Sequence, residues 1–175
     1  MTAGRTVSFT AARTLSMAAK EGILTSVLTL HVPQVERYVT GACTGGDAFI
    51  GRWLYHRHPG AEHVVVVPWN RSRVDVWWFD IEGPGVRVVI MPPGTTYADR
   101  NARLVEADAV FAFPAYPEDD PRLLRSGSWQ TARMARKAGK LSMWQCVTPP
   151  YQGLVERRAA ELLGEERTAD DPECE

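Results

Sequence analysis

Short apolar runs rich in β-branched and aromatic residues alternate with longer stretches whose apolar positions recur three or four residues apart. The first pattern predicts strands and the second helices. Strands are predicted at residues 7–10 (VSFT), 37–40 (RYVT), 63–68 (HVVVVP), 86–91 (VRVVIM), 109–113 (AVFAF) and 141–147 (LSMWQCV). The unbroken valine run at 64–67 predicts a strand buried on both faces, as in a parallel sheet. A helix is predicted over 15–31 from Met17, Ile23, Leu24, Val27 and Leu28, weakened by Gly22 and ended by Pro33. A second spans 48–58 with Phe49, Ile50, Trp53 and Leu54 inward, stopped by Pro59-Gly60. Further helices are predicted at 100–106, at 128–138 with Gly139 as C-cap, and at 152–163. Residues 74–79 (VDVWWF) read as an added strand or an aromatic-rich loop, and 117–125 as a charged loop.

Strands and helices alternate, which predicts βαβ units and a mostly parallel sheet. The expected fold class is α/β, a single Rossmann-like three-layer domain over residues 1–163. Residues 164–175 form an acidic tail expected to be disordered. The full length of 175 residues suits one domain. A net charge of -1 gives no overall field toward nucleic acid or an anionic membrane, and no apolar run reaches the ~20 residues of a membrane span. Cys43, Cys146 and Cys174 form neither an even disulfide framework nor a metal-type spacing, so a reducing, cytoplasmic setting is expected. Cys146 reads as a core residue, whereas Cys43 lies in a glycine-rich loop.

Three strand-to-helix connections carry residues suited to anions. The first is Gly41-Ala42-Cys43-Thr44-Gly45-Gly46-Asp47. Its glycines permit close backbone approach, the next helix's first-turn amides favour an anion, and Asp47 fits the N-cap or first turn. A carboxylate there can also bond a ribose hydroxyl. The loop is neither GxGxxG nor a Walker loop, since no Lys follows the glycines. The second connection is Tyr97 to Asn101, where Arg100 and Asn101 offer paired donors to phosphate and Asp99 is the expected N-cap. The third is Ser126-Gly127-Ser128-Trp129-Gln130-Thr131, with Arg133, Arg136 and Lys137 nearby. Each alone is equally a capped helix start. Together with Thr10 to Arg13 after the first strand, they gather at the carboxyl edge of a parallel sheet, where open α/β folds bind ligands.

In this order the loops resemble the SLOG superfamily, which includes the DNA-processing protein A and Lonely Guy families. The segment 40–47 (TGACTGGD) is similar to their Gly-Ala-x-Gly-x-Asp loop. Arg100-Asn101 followed by 107–110 (ADAV) is similar to their RN and AD stretch, and 126–133 (SGSWQTAR) to the SGS…TA segment of the DNA-processing family. The resemblance covers about residues 7–147 and implies a nucleotide-binding crevice. It implies ligand-binding roles for Thr10, Arg13, Gly41, Ala42, Gly45, Gly46, Asp47, Arg100, Asn101, Ser126, Gly127, Ser128 and Thr131. Lonely Guy phosphoribohydrolases carry a catalytic Glu in PGGxGTxxE; the corresponding SGSWQTARMA has Arg133 and no Glu.

The expected function is therefore binding of a nucleotide or nucleotide-derived phosphate ligand, as a sensor or carrier, with no cofactor. A nucleotide N-glycosidase is the first alternative and needs a carboxylate near the anomeric carbon, for which Asp47 and Asp99 are the candidates. Single-stranded DNA binding through Arg133, Arg136, Lys137 and Lys140 is the second. His31, His56, His58 and His63 show no ligand-type spacing, and no metal is expected. Of the tryptophans, Trp69 and Trp129 are placed to stack on a base. A homo-oligomer is expected, with residues 74–79 as a candidate contact, and no membrane partner.

Overall fold

A computed structural model of the chain describes residues 5–24, 35–116 and 126–144. Six strands, β1 (Arg5–Ala11), β2 (Val35–Gly41), β3 (Glu62–Val67), β4 (Val86–Ile90), β5 (Ala109–Phe113) and β6 (Leu141–Trp144), form one sheet in the order β4-β3-β2-β1-β5-β6. Every neighbouring pair is parallel. The helices are α1 (Met17–Ile23), α2 (Gly46–Arg57), α3 (Trp77–Asp80), α4 (Tyr97–Leu104) and α5 (Gly127–Lys137). This is a Rossmann-like α/β domain, as the alternation of periods predicts.

Two layers of helix sandwich the sheet. On one face Val7, Phe9 and Ala11 of β1 pack with Ala19 and Ile23 of α1 and with Ile50 and Leu54 of α2. On the other, Val64 and Val66 meet Leu104 of α4, while Ala112 of β5 meets Trp129 and Ala132 of α5. The valine run of β3 is buried on both faces: Val64 and Val66 face α4, and Val65 and Val67 lie with the fully buried Trp78 of α3. Full burial of such a side chain stabilises by roughly 1.5–3 kcal/mol.

The segment 74–79 is neither a strand nor a plain loop. Val74 forms a single antiparallel bridge with Cys43, and the chain then makes the one-turn helix α3. The added strand fails because Trp78 has a better place to go: it packs so closely on α2 that a Cβ on Gly51 would lie 2.5 Å from its ring. Asp99 is not the N-cap of α4. Thr96 is, and Asp99 sits at the third helical position, completing a reciprocal capping box. Gly139, at φ 67°, follows the C-cap of α5. The predicted loop 117–125, the helix 152–163, the tail and the ends of the segments 15–31 and 141–147 lie outside the described residues.

Candidate functional site

The central strand β1 has β2 on one side and β5 on the other, so the chain winds outward in both directions from the β1–β5 junction. Open parallel sheets present their crevice at this reversal, outside the carboxyl ends of the strands. Here the backbone stitches the exits together. The Ala12 amide donates to the Phe113 carbonyl at 2.8 Å, and the Gly46 amide donates to the Ala12 carbonyl at 3.0 Å. Gly45, the N-cap of α2, adopts φ 96° and lies so near the β1 exit that a Cβ would stand 1.9 Å from the Arg13 carbonyl oxygen. Glycine is required there both for the conformation and for the approach.

Beneath these loops runs a buried polar network. Asp47, in the first turn of α2, accepts the Ala11 amide at 2.8 Å on Oδ1, with Thr10 Oγ1 at 3.5 Å. Its Oδ2 accepts from Arg100 Nη2 at 2.5 Å, and both side chains are about 95% buried, with exposures of 4% and 5%. Arg100 Nη1 donates to Asn101 Oδ1 at 2.8 Å, Nε lies 3.5 Å from the Val66 carbonyl, and Nη2 lies 3.9 Å from Cys43 Sγ. Asn101 Nδ2 donates in turn to Gln130 Oε1 at 2.9 Å and approaches the Gly127 carbonyl at 3.4 Å. One chain of contacts thereby joins the exits of β1, β2 and β3 to the starts of α4 and α5. Burial, the largest single effect, would lower the Arg100 pKa, but the Asp47 charge and hydrogen bond, with Cys43 and Tyr97, together outweigh it and the net direction is upward, so the guanidinium stays charged.

This network places the candidate residues in three groups. Arg13 and Gly127 are exposed, and Gly45 and Ser126 are partly exposed. Thr10, Gly41, Ala42, Gly46, Asp47, Arg100, Asn101, Ser128 and Thr131 are buried. Arg100 and Asn101, read from the sequence as a phosphate contact at a helix start, are buried and form the floor beneath the loops, where Asp47 pairs with the guanidinium. Gly41 makes room for that pair: a Cβ there would fall 1.3 Å from Arg100 Nη2. The amides of α2 are less free than its glycine-rich start suggests, since Gly46 N is taken by Ala12 and Ala48 N by the Cys43 carbonyl. Thr131 Oγ1 donates to the Gly127 carbonyl at 2.9 Å, and Ser126 caps α5 through the Trp129 amide.

No family model matches the chain, and no curated protein matches it. The site is thus characterised by its own geometry. Trp129 is fully buried and its Nε1 donates to the Tyr116 carbonyl at 2.8 Å, so it is a core residue and not a stacking platform. Trp69, just past β3, is 46% exposed. Neither carboxylate considered for glycosidic chemistry is idle: Asp47 holds Ala11 and Arg100, and Asp99 holds Thr96. Lys140, counted among the basic residues for DNA, donates to the carbonyls of Val105 and Glu106 and ties off the end of α4. Among the described residues no cluster of His, Cys, Asp or Glu is arranged to hold a metal ion, and no helix is long and apolar enough to cross a membrane.

The candidate residue set left out two contributors. Gln130 secures Asn101, which its place one turn into α5 gave no reason to expect. The β3–α3 connection folds back over the β2–α2 loop, with the Thr44 amide donating to the Arg73 carbonyl at 2.8 Å and the Asp75 amide to the Ala42 carbonyl at 2.8 Å. The cations Arg71 and Arg73 after a strand were the available signal. Cys43 sits under this fold, and burial pushes its thiol pKa up, against the lowering effect of Arg100, Arg13 and Arg73. It is not an activated nucleophile.

Proposed function

We propose that the chain binds a nucleotide or nucleotide-derived phosphate ester at the carboxyl edge of its sheet, as a sensor or carrier. One observation carries this reading. Arg13 stands exposed at the β1 exit, beside Gly45, above a floor whose own charges are already paired. An exposed cation beside a floor whose charges are already paired, at the sheet's reversal, is suited to a phosphate. Trp69 supplies an exposed ring for a base, and the resemblance of the loops to the SLOG superfamily supports the same ligand class. The commitment of Asp47 to Ala11 and Arg100 favours binding over glycosidic cleavage, which would need a carboxylate free to meet developing positive charge.

The test is native mass spectrometry of the purified protein for a retained ligand, followed by calorimetric titration with AMP, ADP and ATP and an assay for ribose 5-phosphate release. Binding of at least one mononucleotide without release is expected. Trp69→Ala should weaken it by about 1–3 kcal/mol, the usual contribution of a stacked base. Binding of oligonucleotide alone, collapsing with salt, would transfer the site to single-stranded DNA. Turnover would move it to the hydrolases, and absence of all binding would end the proposal.

A further inference from the structure

Arg13 and Arg73 come from different connections, yet their backbones are brought against two adjacent residues, Gly45 and Thr44. The Arg13 backbone abuts Gly45, where the carbonyl oxygen and carbon would lie 1.9 and 2.6 Å from an added Cβ. The Arg73 carbonyl accepts the Thr44 amide at 2.8 Å. Thr44 and Gly45 are adjacent, with Cα atoms about 3.8 Å apart, so the two arginines flank one point of the β2–α2 loop. Both are exposed, and neither has an ion-pair partner among the described residues. The carboxylate nearest Arg73 in sequence, Asp75, is instead taken by Arg52, at 2.6 Å. Arg71 lies 5.7 Å from the Phe79 ring centroid.

The loop that carries Arg73 is held at several points. Asn70 Oδ1 accepts the Ser72 amide at 3.1 Å, the Arg71 carbonyl accepts the Val74 amide at 3.1 Å, and Asp75 bonds Ala42. The backbone contacts set the two arginines beside adjacent residues, and both guanidiniums act on the neighbouring Cys43 thiol, lowering its pKa against the effect of burial. Like charges near one point repel each other, a cost that an anion between them removes. The amides of α2 cannot meet that anion in full, two of them being bonded within the protein.

We propose that Arg13 and Arg73 form a clamp for a diphosphate group seated over Thr44–Gly45, so that the preferred ligand is a nucleoside diphosphate or its derivative and not a monophosphate. The ligand class rests on the nucleotide-binding reading; the clamp does not. Each guanidinium can pair two donors with one phosphate, and two guanidiniums match two phosphates. Thr44, exposed between them, offers a hydroxyl.

The experiment titrates pyrophosphate, AMP and ADP into the wild type and into Arg13→Gln, Arg73→Gln and, as a control, Arg71→Gln. Circular dichroism and melting should be unchanged in all three variants, since the side chains replaced are exposed. The wild type should bind pyrophosphate, and ADP at least about tenfold more tightly than AMP, the size of one charge-assisted contact. Arg13→Gln and Arg73→Gln should each weaken pyrophosphate and ADP at least about tenfold, and Arg73→Gln should close the gap between ADP and AMP. Arg71→Gln should leave all three within about twofold. Arginine-dependent pyrophosphate binding without nucleotide binding would keep the clamp and overturn the nucleotide reading. Nucleotide binding unaffected by both glutamines would do the reverse, and failure of every ligand to bind would overturn both.

Discussion

Asp47 and Arg100 are the residues on which the site's geometry turns. A buried ion pair contributes little net stability relative to an apolar pair of the same shape, but removing one partner strands the other charge, at a cost of about 3–5 kcal/mol. Asp47→Ala and Arg100→Ala should each lower stability by roughly that amount in urea denaturation, and the double substitution should cost clearly less than the sum. The reading of Arg100 as a surface contact expects a different outcome, loss of ligand affinity at unchanged stability. An Arg100→Ala protein with an unshifted midpoint would restore that reading. Gly41→Ala should resemble the broken pair, because its Cβ would occupy the place of Arg100 Nη2. None of this was visible in the sequence. An Arg beside an Asn at a helix start normally faces water, and its burial follows only from the meeting of two loops 53 positions apart.

At the scale of elements, helix α4 delivers Arg100 and Asn101, and its start is fixed by a reciprocal cap. Thr96 Oγ1 accepts the Asp99 amide at 3.3 Å, and Asp99 Oδ2 accepts the Thr96 amide at 2.7 Å. Those bonds hold the Asp99 carboxyl below its ordinary pKa. Thr96→Ala should cost about 0.5–2 kcal/mol of unfolding free energy, and Thr96→Ser should recover most of it; equal effects of Ala and Ser would show that the cap is not what matters. Periodicity made the elements themselves legible: β1 to β5, α2 and α5 lie where the apolar spacing put them, within about two residues. It failed where tertiary contacts decide. Both Thr96 and Asp99 are capping residue types, and only the backbone says which of them begins the helix. Trp78 turned a candidate strand into a helical turn by reaching Gly51, and Trp129 left the surface to fill the space beside Ala112. The carboxyl-edge loops were recognisable as a set, yet pattern alone could not divide exposed Arg13 from buried Asp47.

Across the whole molecule, the edge opposite the candidate site carries a titratable core. His63, at the start of β3, is 4% exposed, and its Nε2 lies 3.0 Å from the His58 carbonyl. Both rings lie 5.4 Å from that of Tyr38, whose hydroxyl burial pushes up to about 12, keeping it neutral at any working pH. Burial lowers the pKa of both histidines below the ordinary 6.5, with Arg57 and His63 adding to the effect at His58 and the bond to the His58 carbonyl opposing it at His63. The unfolded chain consequently takes up protons first as pH falls, and mass action favours it. Stability should be full above pH 6.5 and should decline as pH drops through 6.5 toward the folded-state values. Asp99, whose ordinary pKa is 3.8, adds its own decline only at more acid pH. Urea midpoints measured from about pH 8 to about pH 5 resolve the histidine contribution from that of the carboxylates. His63→Gln keeps a polar group near the His58 carbonyl but removes the titration, so its profile should be flatter than the wild type's over this range. A wild-type midpoint that held constant or rose on acidification would mean that these rings are protonated in the folded protein. The candidate site, at the far end of the strands, should keep its geometry above pH 6.5, so ligand affinities measured there report the loops and not this core.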